Sequence, residues 1–295
     1  MHVLSLFTGI GGWEVGFGLA GLRADSIIAA EVDRYACAVY DARHGHRNIG
    51  DVSAADFETL FSDVRTPDIL LLGSPPCQDL SHGATWSVHG QRGLLGPRSG
   101  LFEHFSRAVK ELGRPRFAME NVASMRPADR DSITAELGCA PAVMLDAAHV
   151  SAQRRRRLFW THGWEVEELT GAGPSLCEVL NDDGPRLTAT ASAMMQRFKG
   201  KKERWYAGFS TFSTDLKSKC VTRCWHKGPP FGTLLDTRFG RRIERKFGID
   251  EVERLCGFPD GYTDCGLSRT RRLMALGNSV HPLCVRHLLY PLAGL

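Results

Sequence analysis

The sequence has no apolar run approaching membrane-spanning length. No secretory hydrophobic segment opens it, because Gly9, Gly11, Gly12 and Glu14 interrupt the first apolar stretch. It also lacks internal repeats and low-complexity tracts. Its nine cysteines are odd in number and scattered, and none has zinc-finger spacing. That pattern argues against a disulfide scaffold and against a structural metal, and for free thiols in a reducing cytoplasm. Membrane, secreted and repeat classes are thereby set aside. What remains is a chain of 295 residues, 43% hydrophobic and 24% charged, enough for a large domain with its own core and a smaller second one.

Net charge is only +4, but it is unevenly spread. Between Arg186 and Lys246 there are 15 Lys or Arg against 4 Asp or Glu, leaving 22 against 29 elsewhere. A basic segment on an acidic body suits a polyanionic partner, although for a charge cluster taken alone a solvated basic surface is the better explanation.

The first half alternates short apolar runs with helical stretches. Val3–Phe7, Ile27–Ala30, Asp68–Leu72, Arg116–Met119, Ala142–Leu145 and Leu158–Thr161 read as strands. Trp13–Ala20 and Phe102–Leu112 read as helices. The alternation predicts a doubly wound α/β sheet, mostly parallel, with antiparallel strands admitted late in the order. Turn residues at Gly171–Pro174 and Asn181–Pro185 mark a boundary. Residues 1–180 and 266–295 are therefore assigned to one domain, with the apolar tail Pro282–Leu292 in its core, and 181–265 to a small second domain.

Phe7-Thr8-Gly9-Ile10-Gly11-Gly12 lies between a strand and a helix, where glycine permits a tight turn and close approach of a ligand. Glu31 ends the next strand, well placed for the hydroxyls of a ribose. Together they suggest a nucleoside cofactor without separating a dinucleotide from S-adenosylmethionine. Ser74-Pro75-Pro76-Cys77-Gln78 follows a strand directly, and the prolyl pair fixes the backbone that aims Cys77. The other eight cysteines read as small packing residues. Met119-Glu120-Asn121-Val122 ends a further strand and offers a carboxyl group. In Gln153-Arg154-Arg155-Arg156-Arg157, strand geometry would send Arg155 and Arg157 to one face and Arg154 and Arg156 to the other.

In this order, the motifs resemble the cytosine-5 DNA methyltransferase family over nearly the whole chain. Leu4–Gly12 resembles its first cofactor motif, and Glu31-Val32 and Asp51-Val52 the next two. Ser74–Gln78 matches the nucleophile motif, Gly100-Leu101-Phe102 the following one, and Glu120-Asn121-Val122 the acid motif. Gln153–Arg157 fits Gln-x-Arg-x-Arg, while Val221-Thr222-Arg223, Cys256–Pro259 and Gly277–Val280 resemble the later motifs. Cys77-Gln78 follows the bacterial and phage pattern. Phe258–Asp264 and Val285–Leu288 look more like the catalytic domain of the animal de novo enzymes.

The resemblance implies a Rossmann-like S-adenosylmethionine-dependent domain carrying a small target-recognition domain. It implies that a cytosine flips out of duplex DNA, that Cys77 adds to carbon 6, and that carbon 5 then receives a methyl group. Glu120 would contact ring nitrogen 3, Arg157 the base oxygen, and Arg155 would support the cysteine pocket. Around the cofactor it implies Phe7, Glu31, Val32, Asp51 and Val52 near adenosine, and Gly9, Ile10, Gly11 and Gly12 near the methionine part. Thr8, Gly73, Pro75, Leu101, Asn278 and Ser279 would complete that site. At the DNA it implies Ser81, Gln153, Arg197, Lys199, Lys201, Lys202, Arg204 and Arg223. The glycine-bearing segment Asp79–Pro97 resembles the loop that closes over the base. Double-stranded DNA is the expected partner, with a cognate restriction endonuclease as a candidate companion, and the enzyme is expected to act as a monomer.

Four rival readings differ in what they leave unexplained. One branch of the family modifies transfer RNA, and Cys-Gln does not exclude it, so methyl transfer to duplex DNA against transfer RNA separates the two. A modified cofactor would deliver a different group, visible in the mass of the product base. A catalytically inactive DNA-binding regulator sits poorly with intact Cys77, Glu120, Arg155 and Arg157. A nicotinamide dehydrogenase accounts for the glycine loop and Glu31 but for none of the Cys and Arg motifs.

Overall fold

The structure, a computed structural model, describes residues 1–82, 90–181, 184–189, 217–227, 232–236 and 243–294. Its centre is a seven-stranded sheet. The strands are β1 (His2–Leu6), β2 (Ser26–Ala30), β3 (Arg47–Asn48), β4 (Ile69–Gly73), β5 (Arg116–Val122), β6 (Val143–Asp146) and β7 (Arg156–His162). They lie in the order β3-β2-β1-β4-β5-β7-β6. Parallel pairing holds from β3 to β5, whereas β7 runs antiparallel to both β5 and β6. The strand order reverses between β1 and β4, and the carboxyl ends of strands at such a switch form a crevice.

Strands buried on both faces need apolar residues throughout, and Ile69–Leu72 supplies them. Successive side chains enter opposite layers. Leu4, Leu6, Ile69 and Leu71 join Phe105 and Phe117 on one side of the sheet. Val3, Leu70 and Leu72 join Trp13, Phe17 and Leu288 on the other. The first layer is covered by α4 (Phe102–Glu111), whose buried positions Phe102, Phe105, Ala108 and Val109 recur at helical spacing. Helix α5 (Pro127–Leu137) lies on the same side through Ile133 and Leu137.

Helix α1 (Gly12–Leu19) begins one residue earlier than its sequence predicts, because Gly11 takes the left-handed conformation as its N-cap, with φ 88°. Helix α2 (Arg34–Arg43) is capped by Asp33, which accepts from the amides of Tyr35 and Ala36. After α3 (Phe57–Leu60) and α6 (Leu176–Val179) come a two-stranded ribbon, β8 (Thr233–Asp236) with β9 (Ile243–Lys246), and then three helices. These are α7 (Ile249–Leu255), α8 (Arg269–Asn278) and α9 (Pro282–Leu289). The tail falls in the core, as its apolar pattern predicts: Val285 and Leu288 are fully buried.

Helix α7 and the turn after it pack against the sheet-bearing body, although the sequence groups them with the second segment. The Tyr262 hydroxyl donates to the Ile10 carbonyl at 2.7 Å, and the Leu255 carbonyl accepts from Ser151 and Gln153. Val252, Leu255, Phe258 and Tyr262 share a buried cluster with Ile10 and Val39. A buried ion pair braces the start of α7. Arg245 meets Glu251 through two bonds of 2.8 and 2.9 Å, and the Asn181 and Gly248 amides donate to the same carboxylate.

Gly12 and Gly16, one turn apart on α1, form the notch that receives α9. A Cβ on Gly16 would lie 2.4 Å from Val285 Cβ and 2.8 Å from the Pro282 carbonyl oxygen. Replacing Gly16 with Ala should therefore lower the unfolding free energy by about 1–3 kcal/mol, despite the better helix propensity of alanine. Urea denaturation of the purified variant checks this, and unchanged or increased stability would show that the notch can open freely.

Candidate active site

Cys77 stands in the loop that leaves β4. Prolines at 75 and 76 fix two φ angles. The surroundings then hold their carbonyls: Asn121 Nδ2 donates to Pro75 at 3.1 Å, and Ser99 Oγ donates to Pro76 at 3.1 Å. Trp13 Nε1 donates to Ser74 Oγ at 2.9 Å. The Cys77 carbonyl accepts from the amides of Leu80 and Ser81, which turns the chain sharply after the thiol. Asp79 ties the two ends of the following segment together, accepting from the amides of Arg98 and Ser99 at 3.0 and 3.2 Å. Residues 83–89 of the expected closing loop lie outside the described residues.

Glu120 lies inside β5, which runs three residues beyond its predicted end, rather than at the strand terminus. Val122 pairs with Arg157 across the antiparallel β5–β7 ladder. Residues two apart share a face, so Glu120 and Arg157 become diagonal neighbours. Their side chains meet at 2.8 Å, Arg157 Nε to Glu120 Oε1, with only 16% and 10% exposed. Arg155 is buried on the same side, and Arg154 and Arg156 are exposed, as strand geometry predicts.

Arg155 works as a bracket. Its Nη1 donates to the Val221 carbonyl at 2.9 Å, and its Nη2 to the Ser279 carbonyl at 2.5 Å. Its backbone amide donates to Asp146 Oδ1. One side chain thereby joins β7, the segment at 221 and the end of α8.

Burial pushes the Cys77 thiol above its ordinary range. The Arg157 guanidinium pulls against that, Glu120 adds to it, and Arg155 opposes it more weakly. Burial also works against the charge on Arg157, but Cys220, Glu120 and Cys77 outweigh it and hold the guanidinium protonated.

A cavity of about 400 Å³ brings these groups together with the glycine loop and the ends of β2 and β4. Phe7 at its wall has φ 55°, a left-handed conformation unusual for a bulky residue and typical of strained ligand sites. Glu31 Oε2 accepts from the Gly9 amide at 2.8 Å, and Oε1 from the amides of Val32 and Asp33. A carboxylate has about four acceptor positions, so capacity remains for a hydroxyl. Asp51 accepts from the Ser53 amide, which holds its carboxyl below the usual range. Val32 is 69% exposed at the cavity, an open apolar surface, and nothing crowds the position of a Cβ on Gly9. Two carboxylates, an apolar lip and an uncrowded backbone suit a nucleoside.

Of the expected cofactor residues, Phe7, Gly9, Ile10, Glu31, Val32, Asp51 and Val52 line this cavity, as do Pro75, Leu101, Asn278 and Ser279. Four do not. The Thr8 hydroxyl turns inward to the Ser5 carbonyl at 2.8 Å. Gly11, Gly12 and Gly73 are required by packing: a Cβ at each would strike His44, Val280 or Phe105. Gln153, expected at the DNA, is fully buried instead. Its amide donates to the Leu255 carbonyl and accepts from the Val221 amide, both at 2.6 Å. Arg223 lines the cavity and Ser81 follows the Cys77 turn, whereas Arg197, Lys199, Lys201, Lys202 and Arg204 lie outside the described residues. The sequence reading overlooked Arg271, which lines the cavity and stacks 4.1 Å from the Tyr35 ring centre.

Comparison with known proteins agrees with this geometry. The profile of the C-5 cytosine-specific DNA methylase family matches residues 1–161. The type II methyltransferase M.FnuDI of Fusobacterium nucleatum is 33% identical over 126 residues, which is 42% of this chain and 33% of that one. The type II methyltransferase M.NgoPII of Neisseria gonorrhoeae is 30% identical over 327 residues, covering 95% of this chain and 92% of its own. The S. pombe Dnmt2 methyltransferase structure superimposes with a TM-score of 0.72 at 20% identity, over 100% of this chain and 98% of that one. That likeness shows the fold; together with the profile and M.NgoPII, it establishes that the chain belongs to the C-5 cytosine-specific DNA methylase family.

Proposed function

We propose that the protein transfers a methyl group from S-adenosylmethionine to carbon 5 of a cytosine flipped out of duplex DNA. The observation that carries this reading is the single cavity shared by Cys77, Glu120 and Arg157 with Phe7, Glu31 and Asp51. A half-buried thiol beside a carboxyl–guanidinium pair suits attack on a polar ring, and the nucleoside-compatible wall lies in the same space.

Carbon 5 of cytosine is a weak nucleophile. The Cys77 thiolate forms a bond to carbon 6, and the electrons of the 5,6 double bond move towards carbon 5 and the ring. Glu120, having taken up a proton from solvent as the base enters, delivers it to ring nitrogen 3 and accepts from the exocyclic amine, so that charge does not build up on the ring. Arg157, oriented by Glu120, donates to the base oxygen. S-adenosylmethionine, when bound, supplies the electrophilic methyl that carbon 5 takes up. Nitrogen 3 returns its proton to Glu120, and loss of the carbon 5 proton to solvent then restores the double bond and expels Cys77 as thiolate.

For the cofactor, the Glu31 carboxylate would hold the ribose, Asp51 the adenine amino group, and the open face at Gly9 the methionine part. Residues 181–265, with their excess of basic side chains, would form the target-recognition domain and grip DNA mostly through phosphates. The base lies out of reach inside a duplex, so flipping is required of any enzyme with this site. M.NgoPII is a type II methyltransferase, and a cognate restriction endonuclease is the corresponding companion proposed here.

Incubation with labelled S-adenosylmethionine and duplex DNA or transfer RNA tests the whole reading. The expected product is 5-methylcytosine in DNA, identified by mass; label confined to transfer RNA would overturn it. Cys77→Ser should lose measurable turnover while retaining cofactor affinity, since the thiol meets the base and not the adenosine. Glu31→Ala should weaken cofactor binding by at least about 1.5–3 kcal/mol in calorimetry, the worth of one hydrogen bond to a charged group. The nucleophile must be ionised, and burial raises its thiol. Thiolate is therefore scarce at neutral pH, and kcat/KM should climb with pH to a midpoint above that of an ordinary free thiol. A flat alkaline profile would remove Cys77 as the titrating nucleophile.

A further inference from the structure

Among the described residues, Cys220 is the cysteine whose sulfur is hydrogen-bonded by the paired arginines. Its Sγ lies 3.5 Å from Arg155 Nη1 and 3.8 Å from Arg157 Nη2. The segment that carries it is sewn to the strand approach at 152–154. The Ser218 amide donates to the Ala152 carbonyl at 2.6 Å, and the Arg154 amide to the Ser218 carbonyl at 2.8 Å. The Val221 amide is fixed on Gln153 Oε1. Lys217 Nζ donates to the carbonyls of Ser151 and Pro174. The sulfur is thus held on a rigid piece of backbone rather than on a free loop.

Arginine has five N–H donors. In Arg157, Nη1 donates to the Arg156 carbonyl at 2.9 Å and Nη2 to Cys220, while Nε stands 2.8 Å from Glu120 in the ion pair. Two donors remain on a side chain that lines the cavity. Glu120 fixes one edge of the guanidinium plane, and Cys220 is the contact that fixes Nη2. Of the two largely buried cations, Arg155 and Arg157, only Arg157 has an ion pair among the described residues, with Glu120. Burial opposes ionisation of the Cys220 thiol, yet the two guanidiniums prevail and draw it below its ordinary range. A packing cysteine in an apolar setting would move the other way, as Cys256 and Cys284 do, each pushed up to about 12.

We propose that Cys220 is a positioning residue for methyl transfer: its sulfur, shared by Arg155 and Arg157, fixes the orientation in which Arg157 meets the target base. The inference rests on the function proposed above. It makes Cys220 a third member of the Glu120–Arg157 unit, supplied by a segment within residues 181–265.

Cys220→Val removes the acceptor at nearly constant volume, and Cys220→Ser retains an acceptor. Both are compared with the parent in steady-state and single-turnover methyl transfer to duplex DNA containing every cytosine context. Cofactor affinity is measured separately by calorimetry. The valine variant should lose about tenfold or more in the chemical step, with cofactor affinity and the KM for DNA within about twofold of the parent. The serine variant should recover much of that loss. Wild-type rates in the valine variant, or equal losses in both variants, would overturn the proposal and leave Cys220 as packing. If the valine variant loses cofactor binding, Cys220→Ala against Cys220→Ser gives the same comparison. Absence of methyl transfer to DNA by the parent protein would instead refute the function, whatever the variants do.

Discussion

The contact on which the site depends is the buried pair between Glu120 and Arg157. Removing two charges from water costs several kcal/mol per ion, and their attraction offsets this only when geometry and further hydrogen bonds are good. A sheet with one reversed strand provides that geometry. Because β7 runs against β5, the two side chains fall on one face two positions apart and meet at 2.8 Å. A parallel β7 would need another long crossover and would present its arginine from the opposite direction. The reversal therefore belongs to the chemistry as much as to the fold.

Around that pair the structure is tightly held at Cys77 and strained at Phe7. Arg155 joins three separate segments through backbone carbonyls, which stabilises the position of its neighbour Arg157 two residues along. Asn121, adjacent to Glu120, clamps Pro75 and so ties the Cys77 loop to the strand that carries the Glu120 carboxyl group. Displacing either strand would move the thiol, the carboxyl and the guanidinium together. Phe7, by contrast, occupies a left-handed conformation, and the Gly9 amide beside it is held by the carboxylate of Glu31.

Much of this was legible in the residues because the decisive signals are local. The run Ile69–Leu72, the two prolines and Cys77 lie within nine residues, and strand alternation alone separates Arg155 and Arg157 from Arg154 and Arg156. What stays hidden in a motif is the set of neighbours that a residue has in space. Thr8, Gly11, Gly12 and Gly73 sit in cofactor-like sequences, yet they answer to a carbonyl, to His44, to Val280 and to Phe105 from distant parts of the chain. Gln153 looks like one more polar group beside a basic run, until Leu255 and Val221 close over it. Cys220 read as packing because the arginines that hold it are more than sixty residues away. Arg271 was missed for the same reason, since its partner Tyr35 lies at the other end of the sequence.

The central claim is that Cys77 attacks carbon 6 of a cytosine drawn out of duplex DNA. Fluorine at carbon 5 cannot leave as a cation, so addition and methyl transfer proceed but elimination of the thiol does not. The direct measurement is a denaturing gel of the protein incubated with S-adenosylmethionine and duplex DNA carrying 5-fluorocytosine in every sequence context. The account predicts a covalent protein–DNA band that requires the cofactor and disappears with Cys77→Ser. Folded, cofactor-binding protein that yields no such band, or a band that persists without Cys77, would contradict it.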